Sequence, residues 1–152
     1  MALPGRGLYH SPSLSQGGYP GQEANGVREI NVLIIDGHAG VRAQLAQRLH
    51  AHPRFRVVAH TSNPLLGREL AWLWEPDVVL IDLKATGRYN SEMCHRIAHA
   101  SPGSRLVVFT SYLLNGEEQF YHEAGVSMCL LKGLSLKALA QRLCSLVGPG
   151  VT

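Results

Sequence analysis

The sequence is poor in charged side chains and holds them in no cluster. Charged residues make up 16% of its 152 positions, and 14 Lys and Arg against 11 Asp and Glu leave a net charge of +3. The basic residues are scattered along the chain rather than arranged in runs. Proteins that bind nucleic acid concentrate such residues in patches. The composition therefore gives no indication of a nucleic-acid partner.

Cysteines and long hydrophobic runs are also scarce. The three cysteines, Cys94, Cys129 and Cys144, form no CxxC pair and are odd in number, which predicts free thiols in a reducing compartment. No apolar run approaches the length needed to cross a bilayer, and the N-terminus lacks the charged and apolar regions of a signal peptide. We therefore expect a cytoplasmic protein with no membrane partner.

The composition divides the chain into two parts. Residues 1–27 are rich in Gly, Pro, Ser and Gln and show little apolar periodicity. Such a segment buries too little surface to offset the entropy of ordering it. This predicts a flexible tail over residues 1–27 and one folded domain of ordinary size over residues 28–148.

Short apolar runs alternate with helical patterns throughout the predicted domain. The five runs span residues 30–35, 55–60, 78–81, 106–109 and 128–131. Continuous apolar strands are typical of a sheet that is buried on both faces, and such sheets are parallel with helices on each side. The alternation therefore predicts an α/β fold built from five βα units.

Several helix boundaries can be predicted from the residues between the runs. Ser62 or Asn63 before Pro64 indicates an N-cap, Gly125 indicates a helix end, and Ser135 opens the last helix. Helical spacing places Val41, Leu45 and Leu49 on one face of the first helix, and it predicts an inward-facing stripe in the last helix formed by Leu136, Leu139, Leu143, Ser145 and Leu146.

Polar side chains follow four of the five apolar runs. Asp36 ends the first, Asp82 the third and Thr110 the fourth, and Lys132 follows the fifth. Ligands of open parallel sheets bind at the carboxyl ends of the strands. Two acids there can hold Mg²⁺, one of them can attack phosphorus, and an ammonium and a hydroxyl can meet the phosphoryl oxygens. The pattern predicts phosphoryl transfer to a carboxylate.

Four stretches carry a resemblance to a known family. VLIIDGHAGVRAQLAQRL, PDVVLIDL, LVVFTS and AGVSMCLLKGLSLKAL together resemble the receiver domain of two-component response regulators, and the likeness covers residues 29–147. The resemblance implies a flavodoxin-like (βα)5 three-layer sandwich, in which a parallel five-stranded sheet has the strand order 2-1-3-4-5.

The resemblance also implies a role for each residue at a strand end. Asp82 matches the phosphoacceptor, Thr110 the switch hydroxyl and Lys132 the phosphate-binding lysine. Asp36, Asp82 and the backbone carbonyl of Lys84 are the implied ligands of Mg²⁺. The implied partners are a histidine kinase or phosphotransfer protein and a downstream protein, and a second copy of the chain is a further alternative.

The sequence departs from the family pattern near the metal ligands. Receivers typically carry two adjacent acids after the first strand, and here the second position is Gly37. Loss of even a group that supports a metal ligand can cost about 10–100-fold in affinity, so we expect Mg²⁺ binding to be weak or absent. After Asp82 the chain reads LKATGR instead of the usual Leu-x-Met-Pro, which brings the Lys84 amine near the metal position. Cys129 stands where an aromatic switch residue is common.

Two functions remain open from the sequence. One is a stand-alone response regulator that is phosphorylated on Asp82 and signals through protein contacts. The other is a pseudo-receiver, a protein-interaction module that works without phosphorylation. A flavin-binding protein of similar topology fits less well, because GHAG follows the first strand in place of a hydroxyl-rich phosphate loop. Neither function predicts an enzyme, the few residues after the last helix predict no DNA-binding module, and His38 fits an ordinary loop or cap position.

Overall fold

The structure, a computed structural model, describes residues 23–24, 27–84 and 90–148. Of the predicted tail it describes only residues 23–24 and 27, which contribute to a short antiparallel ribbon between Glu23–Ala24 and Val27–Arg28. The rest of the predicted tail and residues 85–89, which include the ATGR stretch, lie outside the described residues. The tail and the domain boundary at residue 28 therefore stay predictions.

Within the described residues, five strands alternate with five helices after the ribbon. The strands are β1 (Ile30–Asp36), β2 (Phe55–Thr61), β3 (Val78–Asp82), β4 (Arg105–Thr110) and β5 (Met128–Leu131). The helices are α1 (Ala39–His50), α2 (Pro64–Trp74), α3 (Asn90–Ala100), α4 (Glu117–Glu123) and α5 (Leu136–Val147). None of the helices within the described ranges is long and apolar enough to span a membrane.

The strands form one sheet in the order β2-β1-β3-β4-β5, and every neighbouring pair is parallel. The predicted α/β class and the 2-1-3-4-5 order are confirmed. β1 and β3 are buried over their whole length, as expected for central strands that are covered on both faces. Their register sets Asp36 directly opposite Asp82, so the two acids end neighbouring strands at the same edge of the sheet.

The two faces of the sheet carry separate hydrophobic cores. One core joins Ile34 on β1 to Leu49 on α1 and Leu143 on α5. The other joins Ile35, the next residue of β1, to residues such as Ala71 on α2 and Ile97 on α3. Successive side chains of a strand point to opposite faces, so a continuous apolar strand supplies both cores at once. This is the predicted three-layer arrangement. Its two cores are apolar, whereas Asp36 and Asp82 are buried at the edge of the sheet.

Most predicted helix boundaries are confirmed. The Asn63 side chain accepts hydrogen bonds from the backbone N–H groups of Leu65 (2.9 Å) and Leu66 (3.4 Å), so Asn63 rather than Ser62 is the N-cap of α2. The Ser135 hydroxyl accepts from the N–H of Ala138 at 3.1 Å and caps α5. Gly125, just past α4, has a φ of 100°, a left-handed conformation that glycine adopts without steric cost.

The inward position predicted for Ser145 is wrong, and Val41 does not share the burial of Leu45 and Leu49. Val41 is 40% exposed, because each four-residue step rotates about 40° around a helix and Val41 lies in the first turn of α1, two such steps from Leu49. Ser145 is exposed, since it lies about 200° around α5 from the buried Leu143. Ala140, which lies about 60° from Leu143, occupies the inward face instead.

Candidate functional site

Asp36 and Asp82 lie side by side at the carboxyl ends of β1 and β3 and are 2% and 4% exposed. Each carboxylate is held by the backbone two residues further on. The N–H of His38 donates to Asp36 Oδ1 at 2.8 Å, and the N–H of Lys84 donates to Asp82 Oδ1 at 3.1 Å. Aspartates at turns commonly accept such bonds, and here they fix the orientation of both acids. In each case the Oδ2 atom is left for other partners.

Lys132 is the partner of the Oδ2 atom in both acids. Its Nζ atom lies 2.7 Å from Asp36 Oδ2 and 2.8 Å from Asp82 Oδ2. Burial alone would lower the pKa of the Lys132 ammonium, but the hydrogen bonds and negative charges of the two acids outweigh burial and raise it. The ammonium is therefore fully charged at neutral pH. Two carboxylates and one ammonium leave a formal charge of −1 (−1 −1 +1) at the sheet edge, which favours a cation.

Thr110 ends β4 and is connected to Lys132 through the backbone. The N–H of Lys132 donates to the carbonyl of Thr110 at 2.8 Å. The Thr110 side chain is buried, with 1% exposed, and its Oγ1 has no hydrogen-bond partner among the residues that the structure describes. An unpaired buried hydroxyl costs about 1–3 kcal/mol. A ligand oxygen that accepted from this hydroxyl would recover that cost.

Lys84 follows Asp82 by two residues, yet its amine contacts a different group of residues. Its Nζ atom donates to the backbone carbonyl of Tyr112, lies 3.6 Å from the centre of the Tyr112 ring and lies 3.4 Å from the Glu117 carboxylate. The sequence predicted this amine near the metal position, but the amine contacts Tyr112 and Glu117 instead. These contacts connect the loop after β3 with the loop after β4 and the first turn of α4.

Glu117 is the centre of this second network, and the sequence analysis did not identify it. One carboxylate oxygen accepts from the N–H of Leu114 at 2.7 Å, and the other accepts from the hydroxyl of Tyr121 at 3.0 Å. Burial would raise the pKa of Glu117, but these hydrogen bonds and the Lys84 charge together lower it. Its position in the first turn of the helix after the Thr110 strand was the available signal, since acids there are favoured by the helix dipole.

Three side chains meet the spacing of a metal site at the same edge. One ligand atom each from Asp36, His38 and Asp82 lies within 4.8 Å of the other two. Two carboxylates suit a divalent cation, and the net negative charge of the edge favours one. Of the predicted metal ligands, the structure brings Asp36 and Asp82 together. The role of the Lys84 carbonyl stays a prediction, and Gly37 offers no side chain to the site.

Two of the three thiols, those of Cys94 and Cys129, have raised pKa values. All three cysteines are free, and Cys94, on α3, is buried in the core that also contains Ala71 and Ile97. Burial, with a smaller contribution from Cys129, raises the pKa of Cys94 to about 12. Burial, followed by the charges of Glu118 and Glu117, raises the pKa of Cys129 to about 11. Both thiols are therefore protonated at neutral pH, which makes them poor nucleophiles.

Comparison with known proteins shows which protein family the chain resembles. No family model matches the chain. The transcriptional regulatory protein LiaR of Bacillus subtilis is 35% identical over 103 residues, which cover 68% of this chain and 49% of LiaR. The nitrate/nitrite response regulator protein NarL of Escherichia coli K12 is 34% identical over 116 residues, which cover 72% of this chain and 53% of NarL.

A solved structure extends the comparison to the fold. The signal receiver domain of a DNA-binding response regulator from Colwellia psychrerythraea superposes with a TM-score of 0.67 at 25% identity, covering 78% of this chain and 98% of that domain. The chain contains a response-regulator receiver domain. The receiver spans about half the length of the two curated regulators. What those longer proteins do as a whole is therefore not transferred to it.

The chain also resembles a short part of an enzyme. The protein-glutamate methylesterase/protein-glutamine glutaminase of Bordetella pertussis is 36% identical over 58 residues, which cover 38% of this chain and only 17% of that protein. A match over so small a part of the relative carries no catalytic activity to this receiver.

Proposed function

We propose that this receiver accepts a phosphoryl group on Asp82 from a histidine kinase or a phosphotransfer protein and passes the signal on through protein contacts in the cytoplasm. The observation that carries the proposal is the Lys132 ammonium, which lies 2.7–2.8 Å from both buried acids at the sheet edge. The Thr110 hydroxyl, which has no hydrogen-bond partner among the described residues, is a second group that can meet a phosphoryl oxygen, and the backbone bond between Lys132 N–H and the Thr110 carbonyl keeps the two residues together.

The residues suit each part of the transfer. A carboxylate oxygen of Asp82 attacks phosphorus, the bond from phosphorus to the donor histidine nitrogen breaks, and that nitrogen keeps the electron pair. Lys132 and Thr110 supply a charge and a hydrogen bond for the phosphoryl oxygens. A divalent cation held by Asp36 and Asp82 would neutralise further negative charge during the transfer.

Phosphorylation would change the contacts that hold this edge together. A phosphoryl group on Asp82 competes with Asp36 for the Lys132 ammonium and gives the Thr110 hydroxyl a partner. Thr110 ends β4 and Lys132 follows β5. A change in the contacts of these two residues therefore biases the surface formed by α4, β5 and α5. Phe120 on α4 and Leu131 at the end of β5 are 55% and 47% exposed, which suits a protein partner.

Mass spectrometry of the intact protein tests the proposal. Incubation with Mg²⁺ and a small phosphodonor such as acetyl phosphate is expected to give one phosphoryl adduct, which Asp82→Asn abolishes. Asp77→Asn is the matched control, because Asp77 is an aspartate at the opposite end of β3, where it pairs with Arg28. We expect this variant to keep the adduct. No adduct on the folded receiver at any Mg²⁺ concentration would reject the proposal and leave phosphorylation-independent protein binding.

A further inference from the structure

The backbone of His38 is held beside the two acids, and its side chain is exposed. It is the N-cap residue of α1, and its side chain makes no capping hydrogen bond. Its backbone is held on both sides, since its N–H donates to Asp36 Oδ1 at 2.8 Å and its carbonyl accepts from the N–H of Arg42 at 2.9 Å. The Arg42 guanidinium also donates to the Asp36 carbonyl at 2.8 Å. The turn therefore fixes the backbone of His38 beside the acid pair.

That position brings a nitrogen donor to the acid pair. A ring nitrogen of His38 and one oxygen each of Asp36 and Asp82 lie within 4.8 Å of one another. Ligand atoms about 2.0–2.2 Å from a common transition-metal ion are spaced within this limit, so a small movement of the exposed imidazole suffices to complete a site. His38 is exposed, whereas both acids are buried, so the imidazole would close the site from the solvent side.

The acids keep capacity for an ion although each oxygen already has a partner. In Asp36 and in Asp82, Oδ1 accepts one backbone N–H and Oδ2 contacts Lys132. A carboxylate offers about four lone pairs, so two remain on each acid. The formal charge of −1 at the edge attracts a cation, and the Lys132 ammonium limits how strongly it is bound.

The chemistry of these donors differs from that of an all-oxygen site. Mg²⁺ takes oxygen ligands almost exclusively, whereas imidazole suits Mn²⁺, Fe²⁺, Co²⁺, Ni²⁺ and Zn²⁺. At Gly37, where an oxygen ligand is absent, the next residue supplies a nitrogen. We propose that Asp36, His38 and Asp82 form a site that binds a divalent transition-metal ion in preference to Mg²⁺, with His38 as the ligand that sets the preference. This inference deepens the proposed function, because the metal site has a role in signalling only if Asp82 is phosphorylated.

Calorimetric titration of the full chain with CoCl₂ and, separately, with MgCl₂ tests the site. We expect Co²⁺ to bind at least tenfold more tightly than Mg²⁺. His38→Ala should weaken Co²⁺ binding at least tenfold and leave Mg²⁺ binding within about twofold. His95→Ala, which removes an exposed histidine on α3, is the matched control and should change neither. Asp36→Asn should weaken both ions, and circular dichroism checks that each variant is folded.

Three results would overturn the inference: Co²⁺ binding that His38→Ala leaves unchanged, Co²⁺ binding that survives Asp36→Asn, and Mg²⁺ binding as tight as that of Co²⁺. The absorption bands of bound Co²⁺ provide an independent readout, because loss of the imidazole nitrogen shifts them. Co²⁺ binding through His38 without any phosphoryl adduct would reject the proposed function alone. An adduct with Mg²⁺ and a Co²⁺ affinity that does not depend on His38 would reject the metal inference alone.

Discussion

The receiver carries two lysines at one edge of its sheet, and they serve different purposes. Their side chains are similarly enclosed, with 12% of Lys132 and 15% of Lys84 exposed. Lys84 is two residues from Asp82, yet its amine pairs with Glu117 and Tyr112 across two loops. Lys132 lies far along the chain from both acids and pairs with each. The position of a lysine in the fold, rather than its distance in sequence, decides whether it contacts the two buried carboxylates.

The largest expected effect comes from the loss of Lys132. Lys132→Met leaves two adjacent carboxylates buried without their common cation. Removing one partner of a buried ion pair costs about 3–5 kcal/mol. We expect a loss of about 3–5 kcal/mol in the free energy of unfolding, measured by urea denaturation, together with loss of the phosphoryl adduct.

A second substitution separates the charge from the packing. Asp36→Asn in the Lys132→Met background removes one of the two unpaired charges and should restore part of the lost stability. The stability lost in Asp36→Asn alone is the reference. If adding Asp36→Asn to Lys132→Met lowers the stability by that same amount, the two residues are not coupled and the ion pair does not stabilise the receiver.

A smaller effect is expected from Lys84, because its partners are Glu117 in the first turn of α4 and the exposed Tyr112 in the loop after β4. Lys84→Met removes an ion pair and a cation–π contact, each of which contributes about 0.5–1 kcal/mol at such sites. We expect a loss of about 1 kcal/mol by urea denaturation, with the phosphoryl adduct retained. Lys137→Met, on the exposed face of α5, is the matched control and should leave the stability within about 0.5 kcal/mol.

A double-mutant cycle tests whether Glu117 is the partner that matters. Lys84→Met and Glu117→Gln should show a coupling energy of about 0.5–1 kcal/mol. A coupling energy of zero would show that the amine is held by the Tyr112 carbonyl and ring alone. Loss of the adduct in Lys84→Met would contradict the separation of the two lysines.

The smallest effect concerns pH. The folded receiver lowers the pKa of Glu117, so the ionised carboxylate stabilises the fold above the ordinary pKa of about 4.3, and this contribution is lost as the pH falls through the lowered value. Between about pH 6 and pH 3, thermal unfolding should show a larger loss of stability in the wild type than in Glu117→Gln. Equal slopes for the two proteins over this range would contradict the Glu117 network.

The buried strands made the fold and the acid pair predictable. A continuous apolar run implies a two-sided sheet, and parallel strands bring their carboxyl ends to one edge, so Asp36 and Asp82 were expected to meet. The Lys84 and Glu117 pair depends on the direction of a long side chain between two loops, for which the sequence holds no periodic signal. Ser145 was assigned inward together with the leucines of its helix, although a two-residue step rotates it about 200° around α5 from Leu143.

Locating the phosphoryl group is the most direct test of the proposed function. The receiver is incubated with acetyl phosphate and Mg²⁺, the acyl phosphate is reduced with borohydride, and the modified residue is identified by peptide mass spectrometry. The chain has three aspartates, Asp36, Asp77 and Asp82. Modification of Asp82 alone is the predicted result. Modification of Asp36 or Asp77 in its place, or no modification of the folded receiver, would contradict the assignment of Asp82 as the phosphoacceptor.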